Sequence, residues 1–156
     1  MFGARHVFKV FTDARYLECY IWGDKSKRDW LRERTLMWEK NINTISKTTG
    51  KYPQESYAAV VHAIQSLWIF LQRVTWYTWD AFAGVEKIIW ETFLPRIFFG
   101  KTKTLSPIVG AISIMPVKKA GLGLLNPVVS DQDKYLSSMQ GSTELVRAVI
   151  AQELGF

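Results

Sequence analysis

The first long pattern in the chain is a narrow apolar stripe at helical spacing. Its members recur three, four or seven positions apart, which places them on one side of a helix. Asp24 or Ser26 can cap the start of that helix. The pattern predicts a helix from Asp24 to about Ser46. The apolar positions of the stripe are Leu31, Trp38, Ile42 and Ile45.

The next pattern, from Gln54 to Val74, is apolar nearly all round. Pro53 precedes it and suits the first position of a helix, where its missing N–H costs nothing. A helix without a polar face lies buried, either in a protein core or in a membrane. Polar residues from His62 to Ser66 interrupt the run before the roughly 20 consecutive apolar residues that a membrane span needs. The pattern therefore predicts a buried central helix, no membrane partner, and a core environment for His62.

A third apolar stripe follows Asp80, which is a candidate helix cap. The stripe predicts a helix through Phe99 that ends at Gly100. Pro95 lacks the N–H that would bond to the carbonyl of Glu91, so we expect this helix to kink or stop near Leu94. The stripe comprises Phe82, Val85, Ile89, Phe93 and Ile97.

The N-terminal residues favour strands. His6–Phe11 and Tyr16–Trp22 are rich in aromatic and β-branched side chains, and residues 12–15 between them include the turn-former Asp13. The pattern predicts a β-hairpin whose apolar face, with Cys19 and its alternate neighbours, points inward.

The last part of the chain contains many helix breakers. Prolines and glycines from 101 to 129 predict an extended loop, with Ile108–Met115 as one extended segment. Ser130 then starts a short helix to Gln140. Gly141 breaks it, and a last helix runs from Thr143 to Leu154.

Together the elements predict a mainly α fold, a helical bundle of about five helices with a short N-terminal β-hairpin and an extended central loop. At 156 residues the chain fits a single domain. Its predicted parts are a hairpin (1–23), three main helices (24–100), an extended loop (101–129) and C-terminal helices (130–156).

The charge of the chain indicates the kind of partner that it would bind. The formal net charge is +6, and the excess lies in residues 1–129, because residues 130–156 carry a net charge of −2. Such a balance favours an anionic partner. The single cysteine, Cys19, excludes an internal disulfide. No signal or transit peptide is evident, so we expect an intracellular protein of the cytoplasm or nucleus.

The residues that could perform catalysis are few. The two histidines, His6 and His62, lie far apart, and Cys19 lacks a basic neighbour on its face. The segment from Gly121 to Asn126 lacks the third glycine of a dinucleotide fingerprint. No adjacent pair of acidic residues exists to hold two metal ions. We therefore expect no enzyme activity, no metal and no cofactor.

Binding is the remaining chemistry. Arg28 and Arg32 on the first helix can contact a phosphate backbone, and so can lysines of the central loop. Exposed aromatic residues such as Trp76, Tyr77 and Trp79 can stack on bases. The alternatives are a merely solvated charged face and tryptophans that cover the edge of the core. The candidate lysines are Lys101, Lys103, Lys118 and Lys119.

Several of these stretches resemble one family. Residues 14–23, followed by a charged helix with two tryptophans, look like the segment after the catalytic palm of non-LTR retrotransposon reverse transcriptases, where a short hairpin leads into the thumb. Residues 115–127 are similar to that family's element Leu-Pro-x-x-x-Gly-Gly-Leu-Gly-x-x-x-Pro, with Ala120 at its first glycine. Residues 93–100 and the apolar helix before them also fit the family.

The resemblance implies a thumb-like, nucleic-acid-contacting fragment of a reverse transcriptase-like protein. The family's catalytic Asp-Asp motif would lie upstream, so the chain lacks it. The implied partners are RNA or DNA, as a primer–template, and the missing palm domain. The alternative function is a helical scaffold that binds another protein through exposed aromatic residues.

Overall fold

The helix α1 covers Asp24–Ser46, the range that its apolar stripe predicts. Leu31, Trp38 and Ile42 are buried, so the stripe faces the core. The structure is a computed structural model and describes residues 14–16, 19–21, 24–101 and 103–151. The described residues are mainly helical, which confirms the predicted class.

Two short strands precede α1. β1 (Ala14–Tyr16) and β2 (Cys19–Ile21) pair antiparallel, with Ala14 opposite Ile21. Ala14 and Arg15, which the sequence assigns to a turn, therefore belong to a strand. The predicted partner strand His6–Phe11 and the side chains of the predicted inward face lie outside the described residues.

The second helical rod consists of α2 (Pro53–Ala58), a π-helical turn (Ala59–Ile64) and α3 (Gln65–Val74). Pro53 is its first residue, as predicted. The predicted burial all round is wrong, because the rod packs on α1 and other helices along only part of its surface. Its buried apolar residues are Val60, Ile64, Trp68 and Leu71, and its exposed ones include Leu67, Phe70 and Val74. His62 is also exposed, so the core environment predicted for it is wrong.

The third helical rod begins with a 3-10 turn (Trp79–Phe82) and continues through α4 (Ala83–Ile88), a π-helical turn (Ile89–Phe93) and α5 (Leu94–Phe99). Phe82, Val85, Ile89 and Phe93 are buried, which confirms the predicted stripe. The rod does not stop at Leu94. The wider π-helical turn changes the hydrogen-bond register just before Pro95, and the helix continues to Gly100, whose φ of 68° ends it.

The segment from 101 to 129 is not the extended loop that its breakers predict. Residues Pro107–Ile114 form helix α6 instead of an extended strand, and Ser106 caps it by accepting a hydrogen bond from the N–H of Val109. A proline just after a capping serine is typical of a helix start. The prediction of a loop depended on the number of prolines and glycines and did not consider this pair. A 3-10 turn follows at Val117–Lys119.

A tight backbone crossing follows this turn. A Cβ placed on Gly121 would lie 2.0 Å from the carbonyl oxygen of Met115, so no side chain fits there. The N–H of Gly123 donates to the same carbonyl at 2.8 Å. The hydroxyl of Tyr57 donates to the carbonyl of Leu122, which ties this crossing to the second rod.

The last helix, α7, covers Pro127–Ile150 without a break. Asn126 caps it by accepting hydrogen bonds from the N–H groups of Val128 and Val129, so the predicted start at Ser130 is wrong. The predicted break at Gly141 is also wrong. A glycine costs a helix interior only about 1 kcal/mol, and the anchored turns before it hold the helix in place.

The core lies where α1 and the second and third rods meet. Trp38 stacks on Phe82 with ring centroids 5.9 Å apart, and Trp68 is fully buried. Among the described residues, no helix combines the length and the apolar character needed to cross a membrane.

Candidate nucleic-acid interface

The link between the second and third rods is a short segment, residues 75–79, that we call the aromatic turn. Tyr77 and Trp79 are 63% and 53% exposed, and Trp76 is half-buried. Tyr77 has a φ of 56°, a left-handed conformation that is unfavourable for an aromatic residue. Such strain persists only where the surrounding structure fixes it.

Asp131 of α7 holds the aromatic turn in place. Its carboxylate accepts hydrogen bonds from both the backbone N–H and the hydroxyl of Thr78, the first at 3.0 Å. Both residues are buried, Thr78 completely. A carboxylate that accepts two bonds in a buried place is an effective anchor, because losing either bond would leave a polar group unpaired.

Ring contacts and a lysine complete the support. Trp76 packs edge-on against Tyr135 of α7, with ring centroids 4.6 Å apart, and against Tyr77 at 4.8 Å. Lys27 of α1 donates from Nζ to the carbonyl oxygen of Trp76 at 3.4 Å. The aromatic turn is therefore held from two sides, by α7 and by α1.

This support brings basic side chains beside the exposed rings. A cleft of about 380 Å³ is lined by Lys27, Arg28, Trp76, Tyr77, Trp79 and Asp80. Arg28 and Asp80 also line the neighbouring cleft of about 440 Å³, together with Arg32. Of the predicted site residues, Arg28 thus lies beside the predicted stacking residues, and Arg32 lies one helical turn farther along α1.

Acidic groups limit the positive charge of this surface. Asp29, Glu39 and Asp80 line the cleft that contains Arg32. Burial raises the pKa of the Glu39 carboxyl above its usual value. The surface is therefore a mixed one, in which the arginines stand next to carboxylates.

The four candidate lysines lie elsewhere. Lys101 and Lys103 are exposed at the end of the third rod, and Lys103 Nζ lies 5.1 Å from the ring centre of Phe99. Lys118 and Lys119 are exposed on the 3-10 turn before Gly121. Lys103 lines a different cleft from the two arginines, together with Trp90 and Glu91.

The sequence predicts the aromatic residues and the arginines separately, but it does not predict their common support. Asp131 and Lys27, which provide this support, are not among the residues that the sequence singles out. The only local signal is the presence of two aspartates, Asp131 and Asp133, in the first turns of α7. The described residues also contain no group of three or more His, Cys, Asp or Glu side chains placed to hold a metal ion.

Comparison with known proteins gives no match for this chain among family models, curated proteins or solved structures.

Proposed function

We propose that the chain is a non-catalytic, thumb-like module that binds a nucleic-acid strand across the aromatic turn and the adjacent arginines of α1. The observation that carries this proposal is the cleft in which Arg28 lies together with Tyr77 and Trp79. Aromatic faces bind bases by stacking, and guanidinium groups bind the phosphates of the same strand.

The geometry suits a strand that passes from the aromatic turn along α1. Arg28 and Arg32 lie four residues apart on one helix face, a rise of about 6 Å. Both arginine side chains are exposed, and so are the rings of Tyr77 and Trp79. The strand's bases would meet the rings while its backbone meets the guanidinium groups.

The resemblance to the post-palm region of retroelement reverse transcriptases supports the same function. In that setting the bound strand is part of an RNA or DNA primer–template. We propose that the chain contributes contacts and leaves nucleotidyl transfer to catalytic carboxylates outside it. Lys101, Lys103, Lys118 and Lys119 would extend contact to the backbone at other points of a longer substrate.

The test is fluorescence anisotropy with a labelled 16-nucleotide single strand and with a primer–template duplex, at several salt concentrations from 50 to 200 mM. The double variant Arg28→Ala/Arg32→Ala should reduce the slope of log K against log salt by about 2, because each lost phosphate contact removes about 1. Trp79→Ala should weaken binding by about 1–3 kcal/mol and leave that slope unchanged.

The matched control is Lys40→Ala/Lys47→Ala, which removes the same charge from exposed positions farther along the chain. A second double variant, Lys118→Ala/Lys119→Ala, tests the lysines and should affect only the longer duplex. The proposal is wrong if neither nucleic acid binds at 50 mM salt, or if both arginines can be removed without changing the slope.

The alternative function, a scaffold that binds another protein, is favoured by the exposure of Tyr77 and Trp79 themselves. Large exposed aromatic side chains are typical of protein interfaces as well as of base-stacking sites. The two functions differ in their response to salt. A protein partner held by these rings would bind with little dependence on salt, and Arg28→Ala/Arg32→Ala would have a small effect.

A further inference from the structure

Helix α7 extends past the part of the molecule that supports it. Its first turns are fixed through Asn126, Ser130 and Asp131, which bond to neighbouring elements. After Asp131 no described residue of the helix is buried. A helical end without packing is marginally stable in water, because most helical stability comes from the burial of one face. The C-terminal half of α7 therefore requires a partner surface.

One face of α7 carries a spacing typical of a coiled coil. Alternating steps of three and four residues connect seven positions along the whole helix, which is a heptad pattern over three repeats. Pro127, Asp131 and Ser138 face the body on the opposite side of the helix, and Val128 and Tyr135, which also contact the body, flank the seam. The seam consists of Val129, Gln132, Leu136, Met139, Thr143, Val146 and Ile150, all of them exposed.

Five of the seven seam positions are apolar, and their exposure is high for apolar side chains. Val129 is 72% exposed and Ile150 76% exposed, at the two ends of the seam. An apolar stripe of this length on a protein surface marks an interface. All seven seam residues are exposed, so the seam is accessible to a second helix.

We propose that this seam binds a second copy of the chain, with the two α7 helices antiparallel about a two-fold axis. The seam then forms layers in which Leu136 packs on Val146 of the partner copy and Met139 packs on Thr143 of the partner copy. Each layer occurs twice, because a two-fold interface is self-complementary.

The charges beside the seam select the antiparallel orientation. In this register Asp133 lies beside Arg147 of the partner copy, and the symmetry repeats the pair at the other end. Both residues are exposed in the protomer and hold the flanking heptad position that forms salt bridges between helices. A parallel pair in register would place Arg147 beside Ser142 of the partner copy and Asp133 beside Val128 of the partner copy, so Asp133 would have no basic neighbour in the partner. Charge complementarity therefore favours a second copy in the antiparallel arrangement.

Sedimentation equilibrium of the full chain tests the proposal. The wild-type protein should be dimeric, and Val146→Glu should raise the dimer dissociation constant by at least about 100-fold, because it places two carboxylates in the apolar seam. Leu145→Glu is the matched control, since Leu145 is equally exposed on the same helix but lies outside the seam. Circular dichroism of each variant confirms that the protomer is folded.

A charge exchange tests whether Asp133 and Arg147 of the partner copy form a specific ion pair in the dimer. Arg147→Asp should weaken the dimer about tenfold, and adding Asp133→Arg should restore it. A monomer at 100 μM, a dimer that Val146→Glu leaves intact, or a double exchange that does not restore affinity would each overturn the proposal.

Disulfide trapping tests the orientation in a Cys19→Ser background. An equimolar mixture of Leu136→Cys and Val146→Cys chains should form a mixed cross-linked dimer rapidly, because the antiparallel layers bring these positions together. Cross-linking of Leu136→Cys with itself at a higher rate would show a parallel pair and contradict the proposal.

Discussion

At the scale of single residues, Ala120 has a backbone conformation that its side chain disfavours. Its φ is 63°, in the left-handed region, and its N–H donates to the carbonyl of Val117 at 2.9 Å. An L residue there costs about 1–2 kcal/mol relative to the right-handed region. The close approach of Gly121 to Met115 fixes the path of the chain and keeps Ala120 in this conformation.

Ala120→Gly should therefore raise the free energy of unfolding by about 0.5–1 kcal/mol. The relief of strain exceeds the extra backbone entropy that glycine gives to the unfolded chain. Because Ala120 is exposed, the change removes no buried contact. Urea denaturation measures the difference.

Ala111→Gly is the control for this change. Ala111 is an exposed residue of α6 in a right-handed helix, so the same substitution there should lower stability by about 0.5–1 kcal/mol. Equal effects of the two changes would show that the conformation of Ala120 carries no strain.

At the scale of elements, Gln65 joins the second rod to the segment before α7. Its side-chain amide donates from Nε2 to the carbonyl of Gly123 at 3.1 Å, and its Oε1 accepts from the N–H of Leu125 at 3.0 Å. The side chain is buried. It thus satisfies two backbone groups that have no regular secondary structure around them.

Gln65→Leu should lower the free energy of unfolding by about 1–3 kcal/mol, because it leaves the part-buried N–H of Leu125 and the part-buried carbonyl of Gly123 without their partner. Ser66→Ala is the control, since its hydroxyl bonds only to carbonyls of its own helix and is exposed. Thermal denaturation of the two variants should separate them clearly. A loss below about 0.5 kcal/mol for Gln65→Leu would contradict this role.

The elements also show what a single sequence can predict. The range of α1 and the buried stripe of the third rod were predictable from the sequence. In each case the buried residues, such as Leu31 and Trp38 or Phe82 and Val85, belong to one helical stretch, so their spacing alone shows that they share a face. Helix α6 was not predictable, because its apolar residues do not alternate with polar residues at a helical spacing and several of them are exposed. The unbroken α7 depends on Asn126 and on a partner for Asp131 that spacing within the helix does not reveal.

The candidate interface, too, could be predicted from the sequence only in part. Composition and exposure patterns identified Arg28, Arg32 and the aromatic residues one by one. The meeting of Arg28 with the aromatic residues in one cleft depends on the hydrogen bonds between Thr78 and Asp131, which are 53 positions apart in the chain. Such a long-range contact leaves no local periodicity, so the sequence predicted the parts of the surface and not their arrangement.

At the scale of the whole molecule, the packing of α1 on the third rod half-buries a carboxyl group, that of Glu39. A Cβ placed on Gly84 would lie 2.1 Å from Oε1 of Glu39, so the two helices approach closely at this point. Burial raises the pKa of Glu39 from its usual value of 4.5. The charged form of Glu39 is therefore disfavoured in the folded state relative to the unfolded state.

This shift gives the stability a defined pH dependence. Because the folded-state pKa is the higher one, the folded state binds the proton more tightly, and the penalty for the charged form is absent below the usual pKa. The penalty develops as the pH rises through the raised pKa and is complete near neutral pH. Glu39→Gln, which cannot ionise, should thus be more stable than the wild type at pH 7, by no more than about 0.5 kcal/mol given solvent screening.

The gain of Glu39→Gln should disappear below about pH 4, where the wild-type carboxyl is itself protonated. Urea denaturation from pH 3.5 to pH 7 measures it. Glu33→Gln removes an equal charge from an exposed position of the same helix, so the contribution of burial is the difference between the two variants. If Glu39→Gln were less stable than Glu33→Gln at pH 7, the carboxylate of Glu39 would be holding α1 to the third rod. In that case the charge of Glu39 would stabilise the close approach at Gly84 instead of opposing it.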